Sequence, residues 1–149
     1  MADFGPVGGM GGAAFDDLNQ LGLIPSTTRI IGLIVRSGAY IDSINPIFVV
    51  GDGNIALPKH GGDGGSEHRI GMKPGEFITE ISGRSGAFVD SLTIETSLGR
   101  RLGFGGPGGG PVAGYEMPPE EDGRQEVVAF FGGSGVYLDR VGIHTRPHR

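Results

Sequence analysis

Apolar positions recur at matching places in three stretches of this chain. "RSGAYIDSINP" (36–46), "RSGAFVDSLTI" (84–94) and "GSGVYLDRVGI" (133–143) align without gaps. Each carries Ser-Gly, an aromatic, an apolar residue and an aspartate. Two positions after Asp42, Asp90 and Asp139 stand Ile44, Leu92 and Val141; four after stand Pro46, Ile94 and Ile143. Apolar residues also stand eight positions before each turn glycine (Ile30, Ile78, Val127) and five before (Leu33, Ile81, Phe130). The period of two after each aspartate predicts a strand with one buried face, and the upstream apolar positions predict a second strand entering the turn.

The hairpin signals extend each unit. "GDGN" (51–54) and "SLGR" (97–100) read as turns, because Gly and Asn tolerate positive φ. After each turn the chain climbs back. "GGDGG" (61–65) thereby arrives beside Asp42 and "GGPGG" (105–109) beside Asp90. Nothing follows the last strand to climb beside Asp139. The N-terminal residues 1–7 are expected to close the structure as a strand beside it, bringing "GGMGG" (8–12) alongside. Pro6 cannot donate to a ladder, so that strand belongs at an edge.

The expectation is a single all-β domain over 1–149: three similar sheets about a pseudo-threefold axis, with every aspartate and glycine cluster at one end. "AAFDDLNQLG" (13–22) allows at most one short helical turn. Residues 117–125 read as an exposed acidic loop, since Pro-Pro and Asp-Gly are turn signals, and 146–149 as a tail.

Composition narrows the function. Glycine supplies 31 of 149 residues, about three times its usual share, without the period of three of collagen. The net charge of −5 argues against nucleic-acid phosphates and anionic membrane surfaces as partners. There is no cysteine, hence no disulfide framework or thiolate metal site. No apolar run approaches a membrane span, and no signal peptide is read at the start; the compartment stays open, cytoplasmic or reached without a classical signal.

A carboxylate beside bare backbone N–H groups offers acceptors and donors together, as a sugar's neighbouring hydroxyls do. One aspartate can take two hydroxyl donors in charge-assisted bonds. Glycine lets a sugar ring approach the main chain without meeting a Cβ. The aromatic two residues before each aspartate (Tyr40, Phe88, Tyr137) is placed to cover an apolar ring face.

These elements resemble the jacalin-related lectins. "GSGVYLDRVGI" is similar to that family's C-terminal Gly-x-x-x-Asp motif and "GGAAFDD" to its N-terminal segment. The repeated "RSGxYxD"-like and "GGxGG" elements, with "ETSLGRRLG" (95–103), resemble griffithsin-type mannose-binding lectins. The resemblance covers about Val7 to Thr145. It implies a β-prism I fold of three four-stranded antiparallel sheets, carbohydrate binding without catalysis or cofactor, and multivalent recognition of high-mannose glycans at up to three sites. It nominates Asp42 with Ala39, Tyr40 and Gly65; Asp90 with Ala87, Phe88 and Gly109, or Gly110 in its place; and Asp139 with Val136, Tyr137 and Gly12. Seven residues precede Gly8, which by the resemblance favours mannose or glucose over galactose. Met10, Asp63 and Pro107 stand where griffithsin-like loops carry serine. A homodimer, with swapping of the closing strand, is also in keeping with the family.

The glycine clusters lack the Gly-Lys-Ser/Thr of a phosphate loop. His60, Asp63, Glu67 and His68 offer metal-ligand types in one segment, but have no counterparts in the other units, and a solvated loop is the simpler account. His144, His148, Arg100 and Arg101 read as exposed tail or strand-end groups. No Ser-His-Asp group or carboxylate pair is assignable. A β-prism serving as a structural or protein-binding domain, its sugar sites degenerate, is the alternative function.

Overall fold

The period-two segments fold as strands. The computed structural model describes residues 2–21, 28–50, 53–56, 59–109, 114–119 and 124–147. In chain order the strands are β1 (Ala2–Gly8), β2 (Ala13–Asp16), β3 (Arg29–Ser37), β4 (Ile41–Val50), β5 (Gly53–Ala56), β6 (His60–Gly61), β7 (Ser66–Gly71), β8 (Ile78–Ser85), β9 (Val89–Thr96), β10 (Arg101–Gly105), β11 (Gly114–Met117), β12 (Gln125–Ser134) and β13 (Leu138–Pro147). One helical turn, α1 (Asp17–Leu21), follows β2.

The strands form three antiparallel sheets with one common order. They run β5-β4-β3-β7, β10-β9-β8-β11 and β1-β13-β12-β2. In the first, β6 also pairs β4, through Ser43↔Gly61 and Ile44↔His60, so β5 and β6 flank β4 one after the other. In each sheet the central hairpin is the pair that brackets an aspartate turn. The third sheet is completed by the N-terminal strands: β1 lies on β13 with Gly8 opposite Arg140, and β2 lies on β12. The closing strand is therefore an edge strand, as Pro6 requires.

The hairpins repeat even in their irregularities. Register shifts fall between Arg36 and Ser37, Arg84 and Ser85, and Gly133 and Ser134. A bulge of this kind bends and twists a strand. Here it sits immediately before each aspartate turn, and so re-aims that turn.

The inner faces meet in one core. Leu33, Ile44 and Phe48, Ile81, Leu92 and Ile94, and Phe130, Val141 and Ile143 are fully buried. Every apolar position picked out by the repeat alignment is buried, Pro46 included.

Several sequence expectations are corrected. His144 is buried within β13. Its Nδ1 lies 2.6 Å from Asp3 Oδ1 and its Nε2 2.9 Å from Asp16 Oδ1, tying β13 to both outer strands of its sheet. The tail is shorter than 146–149, because Arg146 and Pro147 belong to β13. Of the 117–125 segment, Met117 and Pro118 are buried and Gln125 already starts β12; 120–123 lie outside the described residues. Arg100 is not a free strand-end charge. It donates to the buried carboxylate of Glu76 through Nε (2.8 Å) and Nη2 (2.5 Å).

Candidate carbohydrate site

Each aspartate is the second residue of a strand and follows a three-residue turn. Ser37 pairs with Ile41, so Gly38, Ala39 and Tyr40 make the turn; 86–88 and 135–137 do the same. The N–H of Gly38 donates to Tyr40 O at 2.9 Å, and Gly86 and Gly135 repeat the bond to Phe88 and Tyr137. The turns thus present the same backbone shape three times.

The glycine clusters arrive where the hairpin argument places them. Gly9 N donates to Asp139 O (2.8 Å), Gly62 N to Asp42 O (2.9 Å) and Gly106 N to Asp90 O (2.9 Å). The ladder then releases the chain, and the rest of each cluster folds over the aspartate side chain. A Cβ at Gly64 would stand 2.5 Å from Asp42 Oδ2, and one at Gly65 2.6 Å from Oδ1. At Gly11 and Gly12 the same atoms would stand 2.8 and 2.6 Å from the Asp139 oxygens, and at Gly108 2.4 Å from Asp90 Oδ2. Gly65 also has φ +69°, a left-handed conformation in which an L side chain is strained. Here glycine is needed because the carboxylate occupies the space of its side chain.

The three sites interlock. A Cβ at Gly62 would fall 2.2 Å from Val136 O, one at Gly106 2.5 Å from Ala39 O, and one at Gly9 1.9 Å from Ala87 O. Each cluster is therefore wedged between its own aspartate and the turn of a neighbouring unit. The turns converge further at the axis, where Tyr40, Phe88 and Tyr137 pack against one another. Their centroids are 5.3 Å (Tyr40–Phe88), 5.0 Å (Tyr40–Tyr137) and 4.9 Å (Phe88–Tyr137) apart, with interplanar angles of 57–63°. Edge-on aromatic pairs of this kind are worth about 0.5–1.5 kcal/mol beyond their buried area. The sequence alone suggests these rings for sugar faces; in the structure they pack together as the common hub that spaces the three turns.

The nominated residues all come together at this end. Asp42, Asp90 and Asp139 are 5%, 4% and 5% exposed. Ala39, Ala87 and Val136 are exposed, as are Gly65, Gly109 and Gly12; the aromatics are half-buried. Gly110 lies outside the described residues. Burial lifts the carboxyls of Asp42 and Asp139 above the ordinary aspartate range, with Arg36 and Arg140 pulling in the opposite direction. Among the described residues nothing donates to the buried Oδ1 of Asp90. A buried, unpartnered carboxylate oxygen is costly unless something from outside completes it.

Three arginines escaped the sequence reading. Arg36 donates to the carbonyls of Gly64 and Gly65 (both 3.1 Å), Arg84 to Gly108 (3.0 Å) and Arg140 to Gly11 (2.7 Å). The "RSG" of two repeats was the available signal. The third unit, with Gly133 in that place, hid it.

The metal-ligand grouping of 60–68 does not assemble. His60 turns inward, its Nε2 2.6 Å from the buried Asp17 Oδ1, and its ring stacks on Phe15 at 3.7 Å. Asp63 pairs with Lys59, and His68 leans on Phe104. Among the described residues no three His, Asp or Glu side chains are arranged to hold a metal ion.

Comparison with known proteins agrees with this geometry. The family model described as "Jacalin-like lectin domain" matches residues 4–144. Horcolin of Hordeum vulgare is 34% identical over 151 residues, covering 96% of this chain and 95% of its own. Griffithsin of Griffithsia sp. is 32% identical over 143 residues, covering 95% and 94%. Among solved structures, a mannose-binding jacalin-related lectin from Ananas comosus superposes with a TM-score of 0.82 at 28% identity, covering 99% and 98%. Artocarpin in complex with mannotriose gives 0.80 at 29% identity, covering 97% of each chain. The chain thus belongs to the jacalin-like lectin domain family, a carbohydrate-binding and non-enzymatic class.

Proposed function

We propose that this lectin binds mannose-type saccharides at three sites on one end of the prism and engages branched high-mannose glycans through several sites at once. The observation that carries the reading is the threefold coincidence of a buried aspartate with a glycine cluster folded over its carboxylate. A turn has no use for that arrangement, whereas adjacent sugar hydroxyls find acceptors and amide donors side by side. The mannose preference draws on relatives: the pineapple lectin is described as mannose binding, and artocarpin was solved with mannotriose.

A single shallow site of this kind holds a monosaccharide at about millimolar, or roughly −4 kcal/mol. Linked branches that reach two or three sites add about 10²- to 10⁴-fold without any new contact. Glycan-array binding and calorimetric titration of Asp42→Ala, Asp90→Ala, Asp139→Ala and the triple variant test this. Each single change is expected to remove about one equivalent of methyl α-mannoside, and the triple variant to bind none while remaining folded. A folded triple variant that binds like the parent would overturn the proposal and return the prism to a structural or protein-binding role. A homodimer joined through the open edge of β1 completes the proposal, with sedimentation as its measurement.

A further inference from the structure

The three site arginines do not occupy equivalent sequence positions, yet they do the same thing. In the first two units the arginine stands on the first strand of the hairpin and faces a serine: Arg36 opposite Ser43, Arg84 opposite Ser91. In the third unit the pair is Gly133 opposite Arg140. The arginine has crossed to the second strand, and the position it left is bare. That bareness leaves room for the guanidinium where it lies, since a Cβ at Gly133 would stand 2.4 Å from the guanidinium carbon of Arg140.

The common target is the carbonyl of the fourth residue in each cluster: Gly64, Gly108 and Gly11. That carbonyl belongs to the same planar peptide as the N–H of the fifth residue, and in a trans peptide the two point in opposite directions. A guanidinium that pins the carbonyl on one side therefore sets the aim of the N–H on the other. Those N–H groups belong to Gly65, Gly109 and Gly12, the loop amides nominated for the sugar. From this we infer that Arg36, Arg84 and Arg140 are positioning residues that aim the loop amide into each sugar site, and that the third unit attains the same geometry by moving its arginine across the hairpin.

The inference rests on the proposed sugar sites, so its test begins from a protein in which one site reports alone. Asp42→Ala/Asp90→Ala leaves only the Asp139 site, titrated with methyl α-mannoside. Arg140→Ser in that background is expected to weaken binding about tenfold, the scale of one charge-assisted hydrogen bond. Adding Gly133→Arg rebuilds the Arg–Ser pair of the other units, and is expected to restore affinity to within about threefold of the parent. The Gly12 amide resonance should shift with mannoside in the parent and the swapped variant, and much less in Arg140→Ser. A general packing role for Arg140 would not be rescued from the opposite strand. If Arg140→Ser fails to fold, Gly133→Ala displaces the guanidinium while keeping it, and should produce the same loss.

Unchanged affinity in Arg140→Ser, or a folded swap variant that stays as weak as Arg140→Ser, would overturn the inference while leaving the sites standing. A folded parent that binds no mannoside would remove the sites and the inference together.

Discussion

His60 Nε2 lies 2.6 Å from Asp17 Oδ1, inside the protein, across 43 residues of sequence. Asp17 is fully buried and its second oxygen accepts the N–H of Phe130 (3.2 Å). The pair pins the base of the first glycine cluster to the strand that carries the third unit's core. Removing the imidazole leaves a buried carboxylate oxygen without its partner. His60→Ala is expected to cost roughly 2–4 kcal/mol, visible as a drop in Tm, and a double-mutant cycle with Asp17→Asn should return a clear coupling energy. Additive effects of the two changes would refute the pairing.

Glu76 carries a contribution to stability that depends on pH. Its carboxylate is buried and receives Arg100, Thr96 Oγ1 (2.5 Å) and Lys73 N (2.9 Å). The bonds from Arg100 hold it down from 4.5 to about 2. A depressed value in the folded state means that the stability it contributes is complete above 4.5 and is lost as pH falls toward about 2. Glu76→Gln should therefore cost about 2 kcal/mol at pH 7 and much less near the acid end of that window. Thermal melts of both proteins across that range measure it, and a gap independent of pH would contradict the assignment.

Asp42 and Asp139 behave inversely. Burial raises both, so the folded state holds their protons more tightly than the unfolded chain does. Their contribution to stability is fullest below the ordinary aspartate value and is lost as pH rises through the raised one; at neutral pH the ionised pair is a net cost. The double variant Asp42→Asn/Asp139→Asn is expected to melt no lower than the parent at pH 7, with the difference closing in acid, while it loses two sugar equivalents. Sugar binding at the proposed sites is expected to need the charged form, and to fail on acidification earlier than an ordinary aspartate would allow. A double variant less stable than the parent at pH 7 would mean that the loop amides outweigh desolvation.

Glycine substitutions separate contact from conformation. A Cβ at Gly62 would meet the Val136 carbonyl at 2.2 Å, and backbone cannot step aside as a side chain can. Gly62→Ala should cost roughly 1–3 kcal/mol and disturb sugar binding at both flanking sites. Gly71 has open space around its Cβ direction. Gly71→Ala is expected to be neutral within about 0.5 kcal/mol. Equal effects at the two positions would show that loop entropy, rather than the wedge, sets the requirement.

Much of the architecture could be read from residues because the relevant physics is local. The alternation after Asp42, Asp90 and Asp139 declares strands, the Ser-Gly turns declare their reversal, and the hairpin at Gly99 returns the chain to Asp90. The partnership of β1 with β13 followed from counting strands: one aspartate had no returning neighbour. What stayed hidden depends on distant pairing. Nothing near His144 indicates that Asp3 and Asp16, 141 and 128 positions away, will flank its ring. His60 looked solvated because its neighbours are glycines, although the strand β6 carries it inward. Arg140 looked unrelated to Arg36 because equivalence across a hairpin is spatial and leaves no mark in an ungapped alignment.

The wedging of each glycine cluster against a neighbour gives the binding end a sense of rotation. The first unit's loop leans on the third unit, the third's on the second, and the second's on the first. A bulky change in one loop should thus be felt by one neighbour before the other. A shift in one loop has a direct mechanical route to a single adjoining aspartate turn, and the circuit closes only after visiting all three.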